Sequence, residues 1–491
     1  MADGELTVPE ESGSPGETDP GPPPLVALDT PKDGVPPVIA DVESLSRTAE
    51  AFAAGRGPVA VDAERASGHR YGQRAFLVQL RREGAGTALV DPTALPDLSV
   101  LGDALRDTEW VLHAASQDLP CLAGVGMHPT TLFDTELGAR LAGHPRVGLA
   151  AMVEHFLGLR LAKEHSAVDW SQRPLPEPWL RYAALDVEVL VELRDALAED
   201  LRQQGKLEWA REEFAAVVAA PPPPPRIDPW RRTSGLHRIR NRRQLAVIRA
   251  LWQERDRMAR ERDLSPGRVL PDAALIEAAL VQPRSPTALV QVPGFTGRGG
   301  RRNAVRWAAV IRAALDLPDG ELPPQHLASE GPPPARLWPD RDPAAATRLA
   351  AARATLAGIA TEHRLPSENL LSPDAMRRLA WAPPAEPTPV SVAEALMALG
   401  ARSWQVSLTS APLCHALTAA EARLETKTAK SRRTVHLPAP VAAALRTHRA
   451  RQASERLELG EAWPDSPLGA DLVFRTPLGT AIDPDNFRNL V

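Results

Sequence analysis

The sequence predicts an α/β domain, then two all-α domains, then a short α+β tail. Short β-like runs alternate with helical stretches from Val38, and helical periodicity dominates after about residue 134. A run of five prolines at Pro221–Pro225 then stops any helix. At roughly 100 to 200 residues per domain, the 491 residues leave room for about three or four domains.

Composition excludes several classes of protein. Hydrophobic residues make up 43% of the chain, and no run approaches the roughly 20 apolar residues of a membrane-spanning helix. The acidic, proline-rich start is the reverse of a secretory signal, so we expect a cytoplasmic protein with no membrane partner. Cys121 and Cys414 are too far apart in the sequence to indicate a zinc cluster, so any metal ligands would be oxygen or histidine.

Shifts in composition set the predicted boundaries. The first segment carries eight acidic residues against the single Lys32 and has almost no large apolar residues, which is typical of a disordered arm. The predicted order is a disordered arm at 1–37, the α/β domain at 38–218, a Pro-rich linker at 219–229, a helical domain at 230–315, a linker at 316–342, a second helical domain at 343–418 and the tail at 419–491.

Within the α/β domain, hydrophobic patterning predicts each element in turn. The runs VIADV, PVAVDAE, AFLVQL, TALVDP and WVLHAA are predicted strands, and SLSRTAEAFAAG and LSVLGDALRDT are the helical stretches between them. Strands that alternate with helices favour a three-layer arrangement. His113, on an apolar strand, is predicted as an interior histidine, and Trp170 and Phe76 as core residues.

The two helical domains resemble each other in sequence. ERDLSPGRVLPDAALIEAAL begins at Glu261 and EHRLPSENLLSPDAMRRLAW begins at Glu362, so matched Glu, Leu, Leu and Asp positions lie 101 or 102 residues apart. This spacing predicts the duplication of one small helical domain. The tail that follows predicts a basic β-hairpin, a helix and a strand-turn.

Asp62 and Glu64, in PVAVDAER, are the strongest candidates for chemistry. Residues two apart on a strand point to the same face, so these carboxylates would lie side by side and attract a divalent cation. An isolated D-x-E of this kind is more often a strand that ends in a solvated acidic turn. Further carboxylates are therefore needed to support a metal site.

Two later segments supply such carboxylates. Asp118 follows the strand-like WVLHAA, where it would reach a cleft or cap a helix, and Tyr182 and Asp186 share one face of a predicted amphipathic helix. Four carboxylates suffice to bind two hard cations through oxygen. Two cations about 4 Å apart would generate a hydroxide nucleophile and stabilise a leaving 3′ oxygen.

The segments DAE, HAASQDL and YAALD, the last preceded by VDWSQRPL, closely resemble the three exonuclease motifs of ribonuclease D, over about residues 38–215. The resemblance implies a ribonuclease H-like fold and a DEDD 3′-to-5′ exonuclease of the tyrosine subtype. It also implies that two divalent cations, Mg²⁺ or Mn²⁺, are bound by four carboxylates and that Tyr182 orients the attacking water. The implied ligands are Asp62, Glu64, Asp118 and Asp186.

The helical domains resemble tandem HRDC domains, and this resemblance implies RNA binding. Twelve arginines between Arg226 and Arg262 indicate a phosphate-facing surface. Glycines and arginines in LVQVPGFTGRGGRR would approach phosphate, although a plain glycine turn beside a solvated basic helix explains that segment equally well. The candidate nucleic-acid contacts are Lys163, Arg240, Arg242, Arg243, Gly294 and Arg298.

The tail resembles part of the catalytic domain of phage-type tyrosine recombinases, with Lys427 at the position of the hairpin lysine of that family. Recombination by that chemistry needs a tyrosine nucleophile. The chain has two tyrosines, Tyr71 and Tyr182, and both precede the tail by a long distance. The tail is therefore interpreted as a fragment that is incapable of strand exchange.

These observations favour a metal-dependent 3′-to-5′ exoribonuclease that trims structured RNAs, with tRNA precursors expected from the family. The products would be nucleoside 5′-monophosphates, and the enzyme would be a monomer. Two alternatives stay open from the sequence. One is a DNA 3′-to-5′ exonuclease, because the same carboxylates serve both polymers; the other is a non-catalytic nucleic-acid-binding protein.

Overall fold

A computed structural model describes residues 25–161, 168–327, 331–424 and 439–459. The chain divides into two units, Met1–Glu421 and Ala422–Val491. Within the described ranges, no helix combines the length and the apolar composition that crossing a membrane requires.

Strands occur in the first part of the chain. In the described residues they are β1 Val26–Leu28, β2 Val38–Ile39, β3 Arg56–Arg65, β4 Ala75–Glu83, β5 Gly86–Val90, β6 Glu109–Leu112, β7 Thr131–Asp134 and β8 Leu159–Leu161.

Helices follow the same chain order. The α/β domain contains α1 Val42–Ala54, α2 Ser99–Ala104, α3 Leu119–Ala123, α4 Thr135–Ala142, α5 Leu149–Leu157, α6 Glu177–Glu188, α7 Leu190–Gln203 and α8 Leu207–Ala219. The first helical domain contains α9 Arg242–Glu261, α10 Pro266–Val269, α11 Asp272–Val281, α12 Pro286–Leu289, α13 Arg298–Arg302 and α14 Ala304–Leu315. The second contains α15 Trp338–Arg341, α16 Pro343–Glu362, α17 Ser367–Leu370, α18 Pro373–Trp381, α19 Pro389–Ala398 and α20 Ser403–Leu424.

Six strands form one mixed sheet in the order β2-β5-β4-β3-β6-β7. Strand β4 runs antiparallel to both β3 and β5, and the remaining pairs are parallel. The turn from β4 to β5 uses Gly84 and Gly86, whose φ angles of 84° and 77° suit glycine in a tight reversal. The five predicted strands all lie in this sheet, so the predicted α/β domain is confirmed.

Both faces of the sheet are covered. Along β4, Val78 packs in the cluster that contains Phe52 of α1, whereas Leu77 packs in the cluster that contains Ala183 of α6. Successive side chains of a strand point to opposite faces, so the two clusters lie on opposite sides of the sheet. Helix α6 is therefore the element that faces the side of β3 opposite the main core.

The first helical domain has a core of its own. Helix α9 packs against α11 and α14, and the core includes Leu251, Leu275, Phe295 and Trp307. The second helical domain instead shares its core with the α/β domain. Leucines from α16 to α20, such as Leu356, Leu379 and Leu413, belong to the same buried cluster as the sheet, whereas Leu349 packs with Trp338 in a small separate cluster.

Trp209 and Trp404 mark this shared core. Trp209 of α8 stacks on Trp404 of α20, with ring centroids 5.0 Å apart and planes 12° apart. The Nε1 of Trp404 also donates to Glu213 at 3.0 Å. The α/β domain and the second helical domain are thus joined by both apolar and polar contacts.

The N-terminal arm differs from the prediction of disorder through residue 37. Val26–Leu28 forms β1, which pairs in parallel with β8, in register Val26 to Leu159. The short apolar run Leu25–Leu28 supplies this strand, and its partner lies so far along the chain that local composition does not reveal it. Residues 1–24 lie outside the described residues.

The described part of the second unit consists of the last residues of α20 and of α21, Ala439–Leu459, which matches the helix expected in the tail. The predicted basic hairpin with Lys427 and the predicted strand-turn lie outside the described residues. The recombinase resemblance therefore stays a prediction.

Candidate active site

Asp62 and Glu64 lie on the same face of β3, as the spacing predicts. Asp62 is opposite Gln79 of β4, and Glu64 is opposite Leu77. The fully buried Gln79 donates from Nε2 to Oδ2 of Asp62 at 3.1 Å and to Oε1 of Glu64 at 3.5 Å. Sequence reasoning missed Gln79, although a glutamine inside the apolar run AFLVQL was a visible signal.

Asp186 of α6 completes a compact cluster. One carboxylate oxygen each from Asp62, Glu64 and Asp186 lies within 4.8 Å of the others. Helix α6 packs against β3, β4 and β5, which brings Asp186 onto the face that carries the other two residues. Tyr182, one turn earlier on α6, donates a hydrogen bond to Asp186. The spacing of four residues predicted this shared face.

Asp118 approaches from a different element. It follows a short 3₁₀ turn at Ala115–Gln117 and precedes α3, but its side chain does not cap that helix. It pairs instead with Arg65, whose Nη2 lies 3.2 Å from Oδ1 of Asp118 and whose Nη1 donates to the carbonyl of Gln117 at 2.9 Å. Asp118 thus lies beside the three-carboxylate cluster without being part of it.

The turn that carries Asp118 is fixed by Asp134 at the end of β7. The buried carboxylate of Asp134 accepts hydrogen bonds from the backbone N–H groups of Ala114 and Ala115 at 3.0 and 2.9 Å, as well as capping α4. Ala114 has a φ of 60°, a left-handed conformation that needs such support. Sequence reasoning missed this role of Asp134.

His113, next to this turn, is the interior histidine that the sequence predicts. Its Nδ1 lies 2.9 Å from Oγ1 of Thr135. Burial lowers the pKa of His113 to about 4, so the ring is neutral at physiological pH. Trp170 and Phe76 are buried at 0% and 3% exposure, as predicted for core residues.

The electrostatics of the cluster favour a bound cation. Burial raises the pKa of Asp62 and of Asp186, and burial together with the neighbouring Asp62 raises the pKa of Asp118 to about 8. Burial and then the charges of Asp62, Asp186 and Asp118 raise the pKa of Glu64 well above its usual value. Four crowded carboxylates are an all-oxygen donor set that fits Mg²⁺ or Mn²⁺ and that such a cation would stabilise.

Tyr182 keeps its proton in this environment. Burial, followed by the charges of Asp186 and Glu64, raises the pKa of the Tyr182 hydroxyl above its ordinary value. At neutral pH the hydroxyl is therefore a hydrogen-bond donor and not a base. The Tyr182 hydroxyl lies beside Asp186, where it can orient a water or a substrate oxygen next to the carboxylates.

A cavity opens next to Glu64. It has a volume of about 360 Å³ and is lined by residues 63–69 and by Val168. This volume lies at the lower end of the range for small-molecule sites, ~300–1,000 Å³. The carboxylate cluster therefore has space beside it for a small part of a substrate.

Two of the predicted nucleic-acid contacts have partners within the protein, and their contact with nucleic acid stays a prediction. Arg242 donates to the carbonyls of Leu322 at 2.6 Å and Pro323 at 3.1 Å, and Arg243 donates to Leu317 and to Asp319. These arginines connect the start of α9, by hydrogen bonds, to the segment that follows α14. Their partners lie more than 70 residues away, so the sequence showed only an excess of charge.

Gly294 also has a packing role. Its φ is 90°, and a Cβ added there would lie 2.4 Å from the Cβ of Ala274 on α11. Close contact with a helix therefore explains this glycine, where approach to phosphate was predicted. Arg240 and Arg298 are exposed, and Lys163 lies outside the described residues.

Three family models match the chain in order. A 3′-5′ exonuclease model matches residues 37–202, an HRDC domain model matches 244–311, and a model of the C-terminal domain of 3′-to-5′ exonucleases matches 331–417. The last match covers the region where the sequence predicted a second HRDC domain. The duplication therefore stays a prediction.

Two curated relatives match the chain across several of these regions. The chain is 35% identical over 335 residues to ribonuclease D of Gluconacetobacter diazotrophicus, covering 66% of this chain and 81% of the relative. It is 34% identical over 285 residues to ribonuclease D of Escherichia coli K12, covering 57% of this chain and 74% of the relative.

Two solved structures are similar over most of the chain. A protein from Bifidobacterium adolescentis superposes with a TM-score of 0.74 and 39% identity, covering 80% of this chain and all of that one. Escherichia coli RNase D, described as an exoribonuclease involved in structured RNA processing, superposes with a TM-score of 0.57 and 28% identity. The latter match covers 78% of this chain and 98% of that one.

Proposed function

The chain belongs to the ribonuclease D family, and on that premise we propose that its carboxylate cluster hydrolyses the terminal phosphodiester bond of RNA from the 3′ end. The observation that carries the proposal is the three carboxylate oxygens within 4.8 Å of one another, beside a protonated Tyr182. A binding protein without catalysis has no need for a half-buried, mutually repelling acidic cluster.

Asp62, Glu64, Asp118 and Asp186 would hold two divalent cations, Mg²⁺ or Mn²⁺. Such cations would supply the Lewis acidity that activates water and stabilises charge on the departing 3′ oxygen. Gln79 orients Asp62 and Glu64 through its amide, and Arg65 orients Asp118. The protein thereby presents a preformed set of oxygen ligands.

Tyr182 would position the attacking water. Its hydroxyl donates to Asp186, which places it beside the carboxylates, and a phenol oxygen can also accept a hydrogen bond from a water. Attack on the terminal phosphorus would release a nucleoside 5′-monophosphate and leave a new 3′-hydroxyl. The cavity beside Glu64 would receive the terminal nucleotide.

The substrate class is RNA, with structured RNA 3′ ends such as those of tRNA precursors as the proposed targets. The HRDC domain would bind the RNA body while the end enters the site. We propose that the enzyme acts as a cytoplasmic monomer. The exposed Arg240 and Arg298 remain candidate phosphate contacts.

The test uses 5′-labelled single-stranded RNA and the matching DNA, with Mg²⁺, with Mn²⁺ or with EDTA. We expect a ladder that shortens from the 3′ end of RNA and released 5′-monophosphates, with no products for Asp62→Ala. Glu50→Gln, an exposed position on α1, is the matched control and should retain full activity. Preference for DNA would indicate the DNA exonuclease, and retention of RNA without any cleavage would indicate a binding protein.

A further inference from the structure

A polar interface connects the candidate site to the first helical domain. The site loop, residues 66–74, connects β3, which carries Asp62 and Glu64, to β4. Asp263, just after α9, accepts from Arg74 at 2.8 Å and from the backbone N–H of Tyr71 at 3.3 Å. Arg70 lies 3.8 Å from the same carboxylate. One aspartate of the helical domain thus contacts three residues of the loop.

The side chain of Tyr71 forms a second connection. Its hydroxyl donates to Asp256 of α9 at 3.1 Å and accepts from Arg260 at 3.1 Å. The Arg260 guanidinium also lies 5.5 Å from the centre of the Tyr71 ring. Asp256 and Arg260 pair with each other at 2.9 Å, so the tyrosine hydroxyl contacts both members of an ion pair.

The loop backbone is held as well. The N–H of Ser265 donates to the carbonyl of His69 at 3.0 Å, and Arg268 donates to the carbonyl of Gly68 at 3.1 Å. Arg268 also lies 2.6 Å from Nδ1 of His69. Gly68 and His69 line the cavity at Glu64, so the helical domain contacts the wall of that cavity directly.

Among the described residues, the α/β domain makes fewer polar contacts with the loop than the first helical domain does. The loop has no regular secondary structure, and Ala66 is its one buried residue. Within the α/β domain, His69 pairs with Asp169 at 3.4 Å and Arg70 donates to Ser171 at 2.7 Å. Apart from Ala66, which packs in the cluster with Phe76 and Leu77, the loop takes its position from polar contacts, and most of those that other described elements make with it come from residues 256–268.

We propose that the first helical domain positions the site loop through Asp263, Asp256 and Arg268, and that it thereby shapes the cavity at Glu64 for the terminal nucleotide. The proposal rests on the exonuclease function proposed above. It assigns the domain a role in the cleavage step in addition to capture of the RNA. Asp263 and Tyr71 are positioning residues in this scheme, since neither contacts the carboxylate cluster.

Two variants break the interface without disturbing the fold of α9. Asp263 has a φ of 48°, so Asp263→Gly removes the carboxylate while keeping a backbone conformation that glycine tolerates. Tyr71→Phe removes only the hydroxyl oxygen. It is the variant to use if Asp263→Gly lowers the melting temperature. Asp263→Asn keeps one oxygen acceptor for the loop, and it therefore tests whether this partial replacement restores the cleavage rate. Glu261→Ala, which loses a surface pair with Arg257 on the same helix, is the matched control.

The readout separates cleavage from binding. Single-turnover rates are measured on single-stranded RNA at saturating enzyme with Mn²⁺, and RNA affinity is measured separately in EDTA. We expect about a tenfold lower rate for Asp263→Gly and Tyr71→Phe, because small misplacements of a substrate-binding wall slow the reaction strongly. Affinity should be unchanged, Asp263→Asn should be intermediate, and Glu261→Ala should match the wild-type rate.

Unchanged saturating rates for both interface variants would overturn the proposal, and so would a loss that appears in RNA affinity alone. A wild-type protein that cleaves no RNA would refute the exonuclease function itself, which is a distinguishable failure.

Discussion

The side-chain amide of Gln79 contacts both Asp62 and Glu64, at 3.1 Å and 3.5 Å from its Nε2. Carboxylates accept and do not donate when ionised, so a single buried donor between them fixes the direction of both. Gln79 is on the neighbouring antiparallel strand, directly opposite Asp62. The pairing register of β3 and β4 therefore sets the geometry of the candidate metal ligands.

Replacing Gln79 with leucine should weaken metal-dependent cleavage while preserving the fold. Leucine keeps the bulk of the side chain but removes the donor, and loss of such an orienting contact typically costs roughly 10- to 100-fold in metal affinity or activity. A titration of kcat against Mn²⁺ should show a higher half-maximal concentration. Gln203→Leu, which loses an exposed bond to Glu199, should behave as wild type. Equal Mn²⁺ dependence in the two variants would contradict this role.

Tyr182→Phe should lower kcat by about 100-fold, because the hydroxyl that orients the attacking water is lost and small losses of orientation cost on that order. The ring remains, so packing near Trp170, whose ring centroid is 6.4 Å away, should persist. RNA affinity in EDTA and the melting temperature should both stay at wild-type values. An unchanged kcat would show that the hydroxyl does not contact the attacking water.

Glu64→Gln should abolish cleavage and yet stabilise the metal-free protein. Burial and the charges of Asp62 and Asp186 disfavour the ionised side chain, and an amide removes that repulsion. We expect about 1 kcal/mol more free energy of unfolding in EDTA, by urea titration at pH 7. Added Mn²⁺ should raise the wild-type melting temperature and raise that of the variant much less. A variant less stable than wild type in EDTA would refute the proposed repulsion.

Asp91 should make stability depend on acid pH. Burial alone would raise its pKa, but hydrogen bonds from Arg173 at 2.6 and 2.7 Å and from Thr93 hold the pKa below its usual value. A lowered folded-state pKa means that the contribution is present above about pH 4 and is lost as pH falls further. Asp91→Asn should cost about 2 kcal/mol at pH 7.

The check on this prediction is the difference in unfolding free energy between wild type and Asp91→Asn, measured from pH 7 down to acid. That difference should shrink as the pH falls below about 4, where the carboxylate of the unfolded chain takes up a proton, and should level off once the folded-state carboxylate, with its lowered pKa, is protonated too. A constant difference across the range would show that the effect of the substitution does not come from the charge of Asp91.

Local patterns were sufficient to predict the strands and the carboxylates. Alternating apolar residues identify β3 regardless of its partners, and a spacing of two or four residues determines which side chains share a face. The spacing therefore predicted the shared faces of Asp62 with Glu64 and of Tyr182 with Asp186. The approach of Asp186 to Asp62 required in addition the resemblance to known motifs.

Contacts between distant segments were not predictable in the same way. Arg243 appeared as one charge in a basic run, yet its partners are the carbonyl groups of Leu315 and Leu317 at the end of α14 and the carboxylate of Asp319. Gly294 was interpreted from its neighbours in sequence, but Ala274 of α11 determines why glycine is needed there. Sequence composition reports the number of donors and acceptors, and only the tertiary structure decides which of them meet.

The buried cluster shared by the sheet and α16 to α20 has a consequence for synthesis of the chain. The first helical domain has a separate core, so in topology it is an insertion between two segments that complete one another. During translation, the α/β domain emerges from the ribosome with the surface around Trp209 uncovered, and it stays so until α20 brings Trp404 to it. The shared core of the α/β domain can therefore be completed only after α20 has been synthesised. The first helical domain can fold as soon as its own residues have left the ribosome.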